Sequence, residues 1–148
     1  MKQAAIAALA LASLAGGAAA NEVSGSFEVR VKPVPGETRP DDSRGRMVFD
    51  KTFSGALAGK SEGEMLTAGS PKTGSGGYVA LERFEGKLEG REGSFVMQHS
   101  GIMDTGREQL DIHIVPDSGT GQLAGIRGTA TIDRTGGKHF YTLSNTLP

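Results

Sequence analysis

The sequence predicts an all-β protein: a single eight-stranded antiparallel up-and-down β-barrel. Three observations carry that reading. Apolar and polar residues alternate with period two, and no apolar i, i+3, i+4 pattern is sustained after Ala20. Glycine is abundant, 23 of 148 residues, and much of it falls at intervals that suit turns between runs of β-branched and aromatic residues. The runs number eight, an even count that lets the last strand pair antiparallel with the first and removes both sheet edges. A two-sheet sandwich shares these cues and is the alternative.

The first element lies outside that fold. Lys2 is a short positive region, Ala4 to Leu14 is apolar and uncharged, and Ala18-Ala19-Ala20 supplies small residues for cleavage. Residues 1–20 therefore read as a signal peptide, which implies a periplasmic or secreted protein. The apolar run is shorter than the ~20 residues that span a bilayer. With no cysteine in the chain, a lipid-anchored lipoprotein is excluded. The remaining 21–148 form one domain, long enough to bury a core without disulfides. Loss of Lys2 leaves 15 of the 16 basic residues against 17 acidic ones, with no basic stripe. Nucleic acid is excluded as a partner, and so is an anionic membrane surface once the leader is cleaved, because both require clustered Lys and Arg.

The strands are expected at about 23–33, 46–56, 62–69, 77–86, 93–100, 109–116, 127–133 and 139–146. Phe27, Val29 and Val31 alternate with Glu28, Arg30 and Lys32 in the first, and Leu110, Ile112 and Ile114 with Asp111 and His113 in the sixth. Three connections share a G-x-L-x-G pattern: "FSGALAGKSEGEM" (53–65), "FEGKLEGREGSF" (84–95) and "GTGQLAGIRGTA" (119–130). In an up-and-down barrel all three fall at one end, where Leu57, Leu88 and Leu123 would plug the floor. The other connections, Val34–Gly45, Ser70–Gly76, Gly101–Glu108 and Arg134–Lys138, gather at the opposite mouth, where variable polar loops usually carry binding.

These glycines are not a phosphate cradle. Gly119-Thr-Gly121-Gln-Leu-Ala124 matches G-x-G-x-x-A, but "IRGTATID" after it is strand-like and supplies no helix N-terminus. No Gly-Lys-Ser/Thr and no G-x-S-x-G occurs. Three histidines, no cysteine and no short His–His spacing argue against a metal, so no cofactor and no metal are expected.

One polar pair stands out. If Glu89-Gly90-Arg91-Glu92 closes as a two-residue hairpin loop, Leu88 faces Gly93, Gly86 faces Phe95, Phe84 faces Met97 and Glu82 faces His99. A four-residue loop keeps the same faces and makes Glu82–His99 diagonal; a three-residue loop puts the two on opposite faces. Glu82 and His99 thus share an otherwise apolar interior. They are the candidate catalytic residues, a proton-moving pair, or equally a satisfied structural ion pair. Tyr78, on the same face near the mouth, Phe84, Phe95 and Met97 complete a candidate ligand-binding set with Glu82 and His99. His139 and Tyr141 open the last strand, where "HFYTL" is apolar on both parities and leaves their facing open.

"GYVALERFEGKLEGREGSFVMQHSG", "IVPDSGTGQLAGIRGTATI" and "HFYTL" together resemble an uncharacterised bacterial family, domain of unknown function 3224. Its members look like the allene oxide cyclase and dirigent barrels, so the resemblance implies an eight-stranded antiparallel barrel. In plant cyclases an apolar barrel cavity confines a reactive lipid epoxide; none of their catalytic residues is carried over here. The leader departs from the expectation of cytoplasmic family members. Three functions are thus open: a barrel binding a small apolar or amphipathic ligand inside, a cofactor-free cyclase or isomerase using Glu82 and His99, and a solid-core barrel acting through its surface or by self-association as a homo-oligomer.

Overall fold

The structure, a computed structural model, describes residues 19–37, 39, 43–70 and 72–148; the expected signal peptide at 1–20 falls almost wholly outside the described residues. Eight strands follow one another: β1 (Asn21–Pro33), β2 (Gly45–Gly55), β3 (Leu57–Ser70), β4 (Ser75–Leu88), β5 (Arg91–Asp104), β6 (Arg107–Ile114), β7 (Arg127–Thr135) and β8 (Lys138–Thr146). Each pairs antiparallel with its neighbour in sequence, and β8 closes on β1, so the sheet is a barrel and not a sandwich. Closure pairs every edge, which is why no strand needs to be blunted.

The strands run longer than the alternation alone suggests. β3 starts at Leu57, β4 extends to Leu88 and β5 spans Arg91 to Asp104. The glycines at 59, 86, 93 and 101 interrupt the apolar pattern without breaking the ladder, so pattern reading clips those strands. The expected Gly101–Glu108 loop accordingly shrinks to a turn at Thr105-Gly106.

The three G-x-L-x-G segments do meet at one end. The Glu89 N–H donates to the Ala56 carbonyl (2.8 Å), and the Glu92 N–H donates to the Gln122 side-chain oxygen (2.8 Å). Leu57, Leu88 and Leu123 are all buried within the core cluster and seal this floor. The motifs are geometrically unlike one another, however. The first is a one-residue corner at Ala56, the second a two-residue turn, and the third contains a 3-10 turn, Gly121–Leu123. In the second, Glu89 (φ 47°) and Gly90 (φ 81°) both take positive φ, as a two-residue hairpin turn of matching twist requires.

The segment after β6 does not simply return as β7. It runs under β5, with the Val115 N–H on the Val96 carbonyl (2.8 Å) and the Thr120 N–H on the Ser94 carbonyl (2.9 Å). Consequently β6 and β7 pair at only two positions, Ile112↔Ala130 and His113↔Thr129, the thinnest seam of the barrel. Arg134 and Glu108 form an ion pair across the same seam, 2.6 Å.

Candidate functional site

The β4–β5 hairpin sets the centre of the barrel. Its two-residue turn pairs Leu88 with Arg91, Phe84 with Phe95 and Glu82 with Met97. This corrects the expected register by two residues: Gly86 opposes Gly93, His99 opposes Ala80, and Glu82 is diagonal to His99. An even slip preserves the faces, so Glu82, Phe84, Leu88, Phe95, Met97 and His99 still point inward, while Arg91 at the turn is exposed. The Phe84 and Phe95 rings then pack directly on each other, centroids 5.2 Å apart, where the other register would have set Phe95 against a glycine.

Glu82 is fully buried and His99 nearly so. The two touch through Glu82 Oε2 and His99 Nε2, 2.8 Å. Two further residues that the sequence reading missed complete the cluster. Lys51 on β2 donates from Nζ to Glu82 Oε2 (2.9 Å), and Ser61 on β3 donates from Oγ to Oε1 (2.5 Å). Lys51 lies 4.6 Å from the Phe27 ring centroid and 5.3 Å from that of Phe49, so aromatic faces supply the rest of its environment. Its signal was present in "VFDKTFSG": Lys51 shares the parity of Phe49 and Phe53, a charge on an otherwise apolar face. Ser61 carries no such signal, because a small polar residue between Gly59 and Gly63 suits either face.

Burial pushes the Glu82 carboxyl up, but the His99 hydrogen bond, the Lys51 charge and the Ser61 hydroxyl outweigh it and hold the group at about 2. Glu82 is therefore a carboxylate at neutral pH and only accepts hydrogen bonds, so the proton in the His99 contact sits on Nε2. Among the described residues no buried side-chain nitrogen or oxygen lacks a partner. The carboxylate of Glu82 is thus engaged from three sides, by Lys51, Ser61 and His99.

The space around the centre is small. The cavity beside Lys51, Glu82, His99 and Met97 measures about 20 Å³. That is room for about one water molecule, against the ~300–1,000 Å³ of ordinary ligand pockets. Phe84 and Phe95, expected as ligand-contacting wall, are entirely buried and pack on each other. Tyr78 does not line this cavity. It is half-buried nearer the mouth, and its ring covers Gly101, where a Cβ would lie 2.4 Å from the ring. Burial raises the Tyr78 hydroxyl above its usual value, with Glu108 adding to the effect. Tyr141 faces inward and its hydroxyl accepts the Leu57 N–H (2.7 Å), whereas His139 stays half-buried and stacks on Phe27. His113 is exposed on β6.

A larger concavity lies outside. A shallow depression of about 1060 Å³ runs over the outer face of β1–β5, lined by outward residues that include Val48, Leu66, Val79, Leu81 and Val96. Leu66, Val79 and Leu81 are 60%, 53% and 57% exposed.

Fold and centre together define a class: small closed antiparallel barrels with a filled core and one buried Lys–Glu–His cluster. A family model described as a protein of unknown function, DUF3224, matches residues 23–144. The chain belongs to that family. It is similar to a crystallised DUF3224 protein of unknown function from Shewanella oneidensis MR-1, with 44% identity over 87% of this chain and 98% of that one and a TM-score of 0.80. No curated protein matches the chain.

Proposed function

We propose that this protein is a non-catalytic binding barrel, exported by its N-terminal leader, that acts through its outer surface while its interior serves as a sealed structural core. The observation that carries the reading is the size of the interior space, about 20 Å³, beside a centre in which no fully buried side-chain nitrogen or oxygen among the described residues lacks a partner. An interior ligand would have to displace Phe84, Phe95 or Met97, each at most 4% exposed. Removing such side chains from a packed core costs several kcal/mol apiece.

The experiment is native mass spectrometry of the protein purified from the envelope fraction of its own host. The expected mass is that of residues 21–148 with nothing bound. A small molecule that co-purifies, and is lost when Met97 is changed to a bulkier residue, would sink the surface reading and restore the interior one. A cyclase or isomerase reading draws on one observation, the 2.8 Å Glu82–His99 contact. It requires His99→Ala and Glu82→Gln to abolish turnover in variants that still fold.

A further inference from the structure

We infer that the partner of the outer face is a second copy of this chain, seated through a two-fold axis that runs along the strands between β3 and β4. The inference rests on the surface-acting reading above and adds the occupant.

A closed barrel has no free edge, so association cannot proceed by adding a strand and must use a face. Among the described residues, the outward positions of β3 and β4 include three successive rows in the middle of their shared ladder: Leu66 beside Val79, Glu64 beside Leu81, and Glu62 beside Arg83. A two-fold axis parallel to the strands, between β3 and β4, lays the partner's β4 over this β3 at the same height, and the reverse, as an isologous contact requires. In the first row Leu66 of each copy meets Val79 of the other, so exposed apolar side chains bury one another. In the third row Glu62 of each copy meets Arg83 of the other, and the charges are opposite. In the middle row Glu64 is drawn aside towards β2 by Arg46, 3.0 Å away, which leaves Leu81 to fill the centre.

The charges fit this use. Glu62 makes no ion pair or side-chain hydrogen bond among the described residues, although it sits directly opposite Arg83 on the neighbouring strand. Arg83 instead bonds Glu85 along its own strand, 2.6 Å, through Nη1 and keeps further donors of its planar fork. The same two residues, left unmatched within one copy, are matched twice across the axis. Val48 and Val96 on the flanking strands extend the apolar strip to both sides. Contiguous exposed apolar surface rimmed by polar residues is the usual mark of a protein contact.

The strip is modest beside the ~800 Å² per partner of a standard interface. The expected dissociation constant is therefore on the order of 10 µM.

Sedimentation equilibrium of the leaderless protein tests this, across roughly 1 to 200 µM so as to bracket that constant. The wild type should pass from monomer to dimer in that range, and Leu81→Glu should remain monomeric. Glu62→Arg and Arg83→Glu should each weaken the dimer by roughly tenfold, because each replaces two attractive pairs by two repulsive ones. The double variant, with the charges exchanged, should recover wild-type association. Far-UV circular dichroism and thermal melting of each variant establish that these exposed changes leave the barrel folded. A wild type that stays monomeric at ~200 µM overturns the inference. So does a dimer that tolerates Leu81→Glu, or folded single variants whose loss the charge exchange does not repair. A monomer with an empty interior would overturn the dimer alone, whereas a co-purified interior ligand would overturn the surface reading beneath it.

Discussion

The buried cluster makes the sharpest prediction. Glu82→Gln keeps the shape of the side chain and removes the one anion that Lys51 and His99 share. Lys51 is then left as a cation in a core where it is only 7% exposed. Removing one partner of a buried pair typically costs about 3–5 kcal/mol. An independent route gives a similar size. The Glu82 carboxyl falls from 4.5 to about 2 on folding, and at 1.36 kcal/mol per pKa unit that is about 3 kcal/mol of linked stability.

The sign follows from the direction. A carboxyl whose folded value is depressed contributes its stability above the unfolded value and loses it as pH falls through the folded one. Wild-type stability should therefore decline between about pH 4.5 and pH 2 by about 3 kcal/mol more than that of Glu82→Gln, the exposed carboxylates titrating alike in both. Urea unfolding followed by circular dichroism reads both quantities, at pH 7 and then in steps down to pH 2. Lys51→Met combined with Glu82→Gln should recover much of the loss, since it removes the stranded charge. A loss below about 1 kcal/mol in the single variant, with an unchanged acid profile, would refute the reasoning.

Three further outcomes are expected. Gly63→Ala should destabilise by about 1–3 kcal/mol, because its Cβ would clash with the Phe49 ring, a neighbour of both Lys51 and His99; thermal melting checks it. Leu123→Ala should cost about 2–5 kcal/mol by opening the floor, readable in urea midpoints, whereas Gln122→Ala beside it should cost far less. The amides that face the β6–β7 gap should exchange with deuterium well before those of the β3–β4–β5 ladder, since only two positions join that seam; equal protection would mean it is closed in solution.

Eight sequential antiparallel strands were legible from period-two alternation and the turn spacing, whereas a sandwich shares those cues and only the pairing of β8 with β1 decides for the barrel. The lower floor was legible too, since Leu57, Leu88 and Leu123 recur at fixed distances from their glycines. What the pattern could not settle was register. The two even loop lengths in "LEGREG" give the same faces, and alternation fixes a face without fixing a height. It also could not find the rest of the cluster. Lys51 lies 31 residues and Ser61 21 residues from Glu82 in sequence, on strands whose heights depend on registers not yet known. Nor does alternation report volume: the same inward residues would line a hollow barrel or fill a solid one, and only their packing, Phe84 on Phe95 and Phe53 on Phe84, decides it.

That degeneracy gives the cluster a physical role besides stability. A slip of β4 against β5 by two residues would keep every face correct, and the hydrophobic pattern alone offers little to resist it. In one direction the slip would lay His99 against Tyr78 and add about 7 Å to its offset from Glu82 along the strands, at ~3.4 Å per residue, beyond any hydrogen bond; in the other it would set Glu82 directly opposite His99. Lys51 on β2, Ser61 on β3 and His99 on β5 all converge on Glu82 of β4, so the one carboxylate fixes the relative height of four consecutive strands. Phe84 on Phe95 penalises the second of these, which would set Phe95 against Gly86 while keeping Glu82 beside His99. A glycine-rich barrel has few bulky side chains to lock its strands, and the buried charge and the Phe84–Phe95 stack between them resist the slip in its two directions. On this argument Lys51→Met with Glu82→Gln should fold stably and yet show doubled amide resonances along β4 and β5. A single sharp set would mean that the hairpin turn alone fixes the register.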